Sequence, residues 1–465
     1  MRIVGAVRAV LVAAVVAAFF AFAVPTAGAT SFSWMNGYDD PATPDQYDKV
    51  GVLKDGPPSA RKILILLPGT SAGAGYFHPL AQDIVSKAKD WQVWSVERRE
   101  NLFEDQSRAD MLKRGEITPT QFNNYYLGWL ITPTNPRIDL STPGFGYANG
   151  WGMRVAVEDV KRVVAEARKK SRQVVLGGHS LGGSITTAYA TWDFGGNAGG
   201  DDLSGLVFID GGSGPASITP AEAQAGLDDL AEGTPWLSFG GIPTPFAGLF
   251  NLVGAGLAKT APNELSLAQK LPLLPSALKP PVPATNEAQY GYGLDTDTSP
   301  RFLAAAQVHA GQLAESGDPR GWVDAPETGD LSPIQRVADA FYGPDLPGID
   351  GSAWYHPIRL TLDSRAVGAG NANPAQSLLD VHSTHGADLE RHLPLYAFAT
   401  SLGGQRVLDA AQLLAQQSRI RSHYVTLVDD SDTYAHIDPI TAYPQNDFVD
   451  ELVPFLRKTK KVQGK

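Results

Sequence analysis

Short runs of apolar residues alternate with amphipathic stretches along most of this chain. Turn residues bound the runs, as Pro57-Pro58 and Pro68-Gly69 bound residues 62–67, and this is typical of buried parallel strands. Strands are therefore predicted at residues 62–67, 92–96, 173–176, 206–209, 395–399 and 423–428. Apolar residues at helical spacing predict helices at residues 76–89, 154–170, 406–416 and 446–456, and from residue 181 onward. The alternation predicts an α/β fold, with a mostly parallel central sheet flanked by helices.

The alternation stops in a long stretch rich in proline and alanine, where helices are predicted at residues 246–257, 301–315 and 334–341. A stretch of this length between two strands is a domain-sized insertion and not a loop. The predicted organisation is a first part of the core at residues 30–212, a mainly helical cap at 213–393 and a second part of the core at 394–465. The polar lead-in at residues 31–48 is assigned no strand or helix.

One segment of the insertion is strongly apolar. Its apolar members are Trp236, Phe239, Phe246, Leu249, Phe250, Leu252, Val253 and Leu257. The simpler interpretation is that they form the core of the cap and its contact with the rest of the chain. The alternative is that part of this surface lines a pocket for an acyl or aromatic group.

The first 29 residues have the layout of a secretory signal peptide. Arg2 and Arg8 precede an apolar stretch at residues 9–24, and Ala27-Gly28-Ala29 supplies the small residues of a cleavage site. A retained membrane anchor is the alternative interpretation. The prediction is a secreted or periplasmic protein, with no stable membrane span once the signal peptide is removed.

The overall charge and the absence of cysteine exclude several classes of function. The formal net charge is −11, and an acidic chain is a poor partner for nucleic acid. With 0 cysteines, the chain has neither disulfides nor a cysteine nucleophile.

A glycine-rich turn holds a serine between the predicted strand at 173–176 and the helix that begins at Leu181. Residues 177–183 read Gly-Gly-His-Ser-Leu-Gly-Gly, which contains a G-x-S-x-G pattern. The glycines permit a sharp bend that exposes the serine hydroxyl above the sheet, at a helix N-terminus that favours negative charge. Ser180 is therefore a candidate nucleophile; the alternative is a purely structural turn.

This turn resembles the nucleophile elbow of the α/β-hydrolase superfamily. In that family the nucleophile follows the fifth strand, and the oxyanion hole uses an amide from the loop after the third strand. The corresponding loop here is Leu67-Pro68-Gly69-Thr70-Ser71. The resemblance implies that the Leu181 and Thr70 amides are the oxyanion donors, with Ser71 as second choice.

The resemblance also places the general base after the last strand and the triad acid, in most members, just after the seventh strand. Among the 9 histidines, His436 is best placed, and residues 436–439 are similar to the His-x-Asp-Pro element that the family often carries. The turn at residues 400–405, the family's usual location for the acid, has no carboxylate. Asp409 comes next but lies within a predicted helix. Asp210, which ends the strand at 206–209, fits members that supply the acid after the sixth strand, and it is preferred.

The resemblance implies a serine hydrolase that cleaves small-molecule or lipid esters, most simply with apolar acyl groups, without a metal or an organic cofactor. The alternatives are another reaction of the same fold (peptidase, transacylase or cofactor-free haloperoxidase) and a catalytically silent binding protein. Residues 380–392 contain zinc-ligand residue types, and residues 429–432 partly match a calcium loop. Both metal sites are the less favoured interpretations.

Overall fold

The computed structural model describes residues 29–139, 145–171, 173–238, 246–325, 327–369 and 371–460. The predicted signal peptide lies outside these residues, apart from its last one. Among the residues that the structure describes, no helix has both the length and the apolar character that a membrane span requires.

Eight strands form one sheet, in the order β1-β2-β4-β3-β5-β6-β9-β10. Two pairings, β1 with β2 and β2 with β4, are antiparallel, and the others are parallel. A separate antiparallel hairpin joins β7 and β8. The strands are β1 (Ser31–Asn36), β2 (Lys49–Asp55), β3 (Lys62–Leu67), β4 (Trp91–Glu97), β5 (Gln173–His179), β6 (Gly205–Ile209), β7 (Gly311–Gly317), β8 (Arg320–Asp324), β9 (Leu395–Ala399) and β10 (Val425–Asp429).

Helices cover both faces of the sheet, so the predicted α/β architecture is confirmed. Along β3, Leu64 and Leu66 face one hydrophobic core, whereas Ile63 and Ile65 face the other, as the two-residue period of a strand requires. The helices are α1 (His78–Lys87), α2 (Ser107–Lys113), α3 (Pro119–Tyr126), α4 (Met153–Lys170), α5 (Leu181–Thr191), α6 (Pro220–Glu232), α7 (Phe246–Thr260), α8 (Asn286–Leu294), α9 (Ile334–Tyr342), α10 (Ile358–Ser364), α11 (Gln376–Leu379), α12 (Gln405–Gln417), α13 (Asp438–Thr441) and α14 (Asp447–Lys458).

The six predicted strands are all present, but two other assignments were wrong. The lead-in contains β1, an edge strand whose side chains are all exposed or only partly buried, so it lacks the continuous apolar run of a central strand. The helix predicted at residues 301–315 is a short 3₁₀ turn, Arg301–Ala306, followed by β7. Gly311, with a φ of 122°, has a backbone conformation that a helix does not use, and it starts β7.

The insertion packs into both hydrophobic cores. Its helices α7 and α9 join the core that contains α1, and α10 joins the opposite core through Leu360 and Leu362. The described members of the apolar segment also lie in or against the first core, whereas Phe239 is outside the described residues. Besides helices α6 to α11, the insertion contains the β7–β8 hairpin.

Candidate active site

Ser180 occupies a strained turn between β5 and α5. Its φ is 55° and its ψ is −122°, a conformation that costs a non-glycine residue energy and persists only when its surroundings impose it. The surroundings do so here: the Ser180 amide donates to the Ile209 carbonyl at 2.9 Å, and the Ser180 carbonyl accepts from the Gly183 amide at 2.9 Å. The predicted nucleophile is thus held by backbone bonds from the neighbouring strand β6 and from its own helix.

Gly211, which follows β6, packs directly against the backbone of Ser180. A Cβ atom at this position would lie 2.1 Å from the Ser180 carbonyl oxygen, a distance that only displacement of the turn could relieve. We expect Gly211→Ala to lower the free energy of unfolding by about 2–3 kcal/mol and any Ser180-dependent rate by about 100-fold. Urea unfolding and ester hydrolysis would measure the two effects.

The matched control is Gly214→Ala in the same loop, because a Cβ atom there would meet nothing within 4 Å. Equal effects of the two substitutions would show that contact with the serine turn is not the cause.

The predicted oxyanion loop passes beside the serine. A Cβ atom on Gly69 would lie 2.9 Å from Ser180 Cβ, and Thr70 follows Gly69 directly. Leu181 is the first residue of α5, and the first amides of a helix have no partner within the helix. The two segments that carry the predicted donors therefore meet at the serine.

The insertion pairs with the oxyanion loop through its backbone. The Ala353 amide donates to the Ser71 carbonyl at 2.9 Å, and the Gly73 amide donates to the Gly351 carbonyl at 2.9 Å. The Gly75 amide donates to the Asp350 carbonyl at 3.1 Å. Residues 350–353 thus form a short stretch of backbone that borders residues 71–75.

His436 is buried between β10 and α13, and its ring is paired with Asp210. Its Nδ1 lies 2.5 Å from Asp210 Oδ2. His179 Nε2 donates to the His436 carbonyl at 2.9 Å. Burial, followed by the nearby charge of His436, lowers the pKa of His179 to about 3. His179 is therefore neutral and supports the backbone of His436.

Asp210 directly follows β6 and accepts hydrogen bonds from the turn that follows β9. Its carboxylate accepts from Thr400 N at 2.9 Å, from Thr400 Oγ1 at 2.5 Å and from Gly403 N at 3.1 Å. Burial raises the pKa of Asp210, but the bond and charge of His436 and the bonds from Thr400 outweigh it and hold the pKa at about 2. The turn without a carboxylate thus donates hydrogen bonds to the carboxylate that directly follows β6. The other candidate, Asp409, is exposed on α12 and accepts from Gln405.

Asp438, to which the sequence analysis gave no role, anchors the loop that carries His436. Its buried carboxylate accepts from Ala435 N at 2.7 Å, from Ser332 Oγ at 2.6 Å and from His309 N at 3.1 Å, and its Oδ2 lies 2.7 Å from His309 Nδ1. Ser332 and His309 belong to the insertion, so no local pattern could reveal this contact. The only sequence signal is that Asp438 lies two residues after His436.

A cavity of about 750 Å³ opens beside these groups, a size suited to a small organic ligand. None of the described residues of the apolar segment lines it. The loop after β6 and helix α12 form most of its wall. The lining residues are Ser180, Leu181, Ser184, Asp210, Gly211, Gly212, Gly214, Pro215, Leu402, Gly403, Arg406, Val407, Asp409, Ala410, Gln412, Leu413, Gln416 and His436.

Two buried carboxyl groups, Glu97 and Asp350, and the half-buried Glu104 lie near the predicted oxyanion loop. Glu97 Oε2 accepts from the Ala74 amide at 2.7 Å, and Glu104 Oε1 accepts from the Trp354 amide at 2.7 Å. Burial raises the pKa of all three groups, that of Glu97 to about 8 and that of Asp350 to about 6. Repulsion between these carboxylates raises the pKa of Glu97 and of Glu104 further. The contact between the insertion and the core therefore favours protonated carboxyl groups.

This cluster predicts that stability depends on pH. Between pH about 4.5 and about 8, Glu97 holds a proton in the folded state and has lost it in the unfolded state, so the free energy of unfolding falls as the pH rises. A glutamine does not titrate. We therefore expect the stability of Glu97→Gln relative to wild type to increase from pH 5 to pH 8, by at most about 1.4 kcal/mol per pH unit. Urea unfolding at several pH values measures this, with Glu232→Gln, at an exposed position, as the control. A difference that does not change with pH would contradict the expectation.

No group of three histidine, aspartate or glutamate side chains in the described ranges is arranged to hold a metal ion. In the segment that carries zinc-ligand residue types, His382 Nε2 lies 2.7 Å from Asp380 Oδ1, and His385 Nδ1 lies 2.9 Å from Asp388 Oδ2. The two histidines thus contact different carboxylates, and His385 Nε2 also lies 3.3 Å from Asp193 Oδ1.

Comparison with protein-family models and with curated proteins gave no match. The chain is similar to several solved structures. A candidate lipase from Sulfolobus solfataricus is 17% identical, with 91% of this chain and 92% of that chain covered and a TM-score of 0.46. The thioesterase domain from the curacin biosynthetic pathway is 9% identical (93% and 100% covered, TM-score 0.40), and a thermophilic esterase from Thermogutta terrifontis is 11% identical (92% and 98% covered, TM-score 0.36).

The class of the chain follows from its own topology. The eight-stranded, mostly parallel sheet carries the serine turn directly after its fifth strand, and the loop after the third strand lies beside that turn. The chain has the α/β-hydrolase fold.

Proposed function

We propose that this chain is a serine hydrolase that cleaves carboxylic esters through an acyl-enzyme. One observation carries the proposal: Ser180, in its strained turn, lines the same cavity as the hydrogen-bonded pair of His436 and Asp210. A nucleophile, a base and a group that orients the base are the elements of this chemistry.

Asp210 determines which ring nitrogen of His436 carries the proton. With a pKa of about 2 it is ionised at neutral pH, so it accepts the proton of His436 Nδ1. Neutral imidazole carries one ring proton, and Nε2 is then the nitrogen that can accept a proton.

In the proposed reaction, Ser180 Oγ attacks the ester carbonyl carbon while His436 Nε2 takes the hydroxyl proton. The amides of Leu181 and Thr70 stabilise the oxyanion of the tetrahedral intermediate. His436 then returns the proton to the departing alcohol, and the acyl group remains on Ser180. Water, deprotonated by the same nitrogen, releases the acid and restores the serine.

The cavity wall supports a small-molecule ester with an apolar acyl part. Leu181, Val407 and Leu413 offer apolar surface, and Arg406 and Gln412 make the rest of the wall polar. An ester whose acyl chain meets the first group and whose alcohol meets the second would fit this mixture.

Labelling with a fluorophosphonate, mapped by mass spectrometry, tests the proposal. We expect the label on the peptide that contains Ser180, none on heat-denatured protein, and hydrolysis of nitrophenyl esters in preference to peptide amides. Preferred cleavage of amides would make the chain a peptidase. A folded protein that takes no label would favour a silent binding protein.

We also propose that the protein is exported, because the basic, apolar and small residues of segment 1–29 follow each other as in a signal peptide. The mature chain should begin near Thr30. A secreted form that retains Met1 would contradict this.

A further inference from the structure

Arg98, directly after β4, binds the oxyanion loop from behind. Its buried guanidinium donates through Nη1 to the Pro68 and Gly69 carbonyls, each at 3.2 Å, and through Nη2 to the Ala72 carbonyl at 3.3 Å. The Glu100 carboxylate accepts from Arg98 Nε at 2.5 Å and balances its charge. The Arg98 guanidinium therefore binds the loop through three main-chain carbonyl oxygens.

The geometry of the peptide unit gives the contact with Gly69 a consequence for the next residue. The Gly69 carbonyl and the Thr70 amide belong to one planar, trans peptide unit, in which C=O and N–H point in opposite directions. A guanidinium that holds the carbonyl therefore turns the Thr70 N–H away from Arg98. Gly69 is also the residue whose Cα faces Ser180, since a Cβ there would lie 2.9 Å from Ser180 Cβ.

Other parts of the loop are held by the insertion, whose Ala353 amide donates to the Ser71 carbonyl. Among the described residues, the Gly69 carbonyl accepts hydrogen bonds only from Arg98 and, at a long distance of 3.4 Å, from the Ala72 amide. Arg98 is thus the principal described contact that opposes rotation of the peptide unit between Gly69 and Thr70.

We propose that Arg98 is a positioning residue that keeps the Thr70 amide directed at the oxyanion. The inference rests on the proposed function. Arginine is required because its planar guanidinium can donate to three carbonyl groups at once. A lysine ammonium is a compact point charge and does not have this planar set of donors. Without the guanidinium, the peptide unit between Gly69 and Thr70 can rotate, and its carbonyl group then faces the oxyanion in place of its N–H. The cost should approach that of removing one oxyanion donor, about 10²- to 10³-fold in kcat.

The test compares Arg98→Lys and Arg98→Gln with Arg99→Lys. Arg99 is an equally buried neighbour, but it donates to Asp48 and Asp159, and none of its described partners is in the oxyanion loop. Each variant is assayed for kcat and KM with a nitrophenyl ester, for the affinity of a boronic acid that forms a tetrahedral adduct with serine, and for Tm.

We expect kcat to fall about 10- to 100-fold in Arg98→Lys and up to about 10³-fold in Arg98→Gln, with KM within about threefold of wild type. Boronate affinity should fall by about the same factor as kcat, because the adduct carries the same developing charge. Arg99→Lys should lower Tm without this loss.

Several results would overturn the inference: a kcat for a folded Arg98→Lys within about threefold of wild type, an equal loss in Arg99→Lys, or a loss confined to KM. If Arg98→Gln does not fold, the kcat of Arg98→Lys tests the inference, because lysine keeps a positive charge beside Glu100. An inert, unlabelled wild type would instead refute the proposed function, and the role of Arg98 with it.

Discussion

Replacing Ser180 with alanine is expected to lower kcat for ester hydrolysis by about 10⁶-fold, the scale on which removal of a triad serine acts in enzymes of this chemistry. The physical reason is that the acyl-enzyme can no longer form, and the remaining donors can only assist direct attack by water. Steady-state assays with a nitrophenyl ester, together with fluorophosphonate labelling, would measure the loss. Tm should change little, because the strained backbone of the turn is fixed by the bonds to Ile209 and Gly183 and not by the hydroxyl.

Ser184→Ala is the matched control for this substitution. Ser184 lines the same cavity, and its hydroxyl donates to the Gly212 carbonyl at 3.1 Å, so its loss removes a cavity hydroxyl without removing the proposed nucleophile. Substantial activity or labelling in Ser180→Ala would eliminate Ser180 as the nucleophile. A loss of the same size in Ser184→Ala would move the assignment to that residue.

Replacing Asp210 with asparagine is expected to lower kcat by about 10⁴-fold with the fold intact. An asparagine can present its NH₂ group to His436 Nδ1, which favours the tautomer whose proton lies on Nε2 and so cannot accept one from Ser180.

The pKa of Asp210, about 2, adds a second expectation. The carboxylate stays ionised as the pH falls, so protonation of Asp210 should not limit activity until the pH approaches 2.

Asp409→Asn serves as the control, because Asp409 lines the same cavity and was the competing candidate for the acid. Its exposed carboxylate accepts from Gln405 within α12, and we expect activity within a few-fold of wild type. If Asp409→Asn lost more activity than Asp210→Asn, the ion pair with His436 would not be the one that matters for catalysis.

Most of the central strands were predictable because their apolar character is a local property; the exception is β2, whose sequence Lys-Val-Gly-Val-Leu-Lys-Asp has only a short apolar run, and it was not predicted. β3 and β9 have the bounds that their apolar runs indicate, Lys62–Leu67 and Leu395–Ala399. The edge strand β1 was not predictable in this way, since its residues remain at least partly accessible and its pairing with β2 depends on a segment more than ten residues away. The alanine-rich residues after Arg301 favour a helix by propensity, but they form only the 3₁₀ turn Arg301–Ala306, and the residues from Gly311 onward pair with β8.

The difference between local patterns and contacts with distant segments also explains which site residues could be predicted. Ser180 was visible because the glycines that shape its turn are its neighbours in sequence. Asp210 stayed ambiguous against Asp409 because the contacts that favour it come from Thr400 and Gly403, about 190 residues further along the chain. Arg98 had no sequence signal at all, since its role depends on carbonyl groups, and every residue has a carbonyl.

The backbone pairing between residues 71–75 and 350–353 makes the insertion part of the structure that surrounds the serine turn. A shortened enzyme in which β6 ran directly into β9 would strip the Ser71 carbonyl and the Gly73 and Gly75 amides of these partners, right beside the nucleophile. A variant in which the insertion is exchanged would therefore need to keep the tetrapeptide Asp350–Ala353 in place. In this chain the insertion is not a separable module, because the segment that follows the loop beside Ser180 pairs with it.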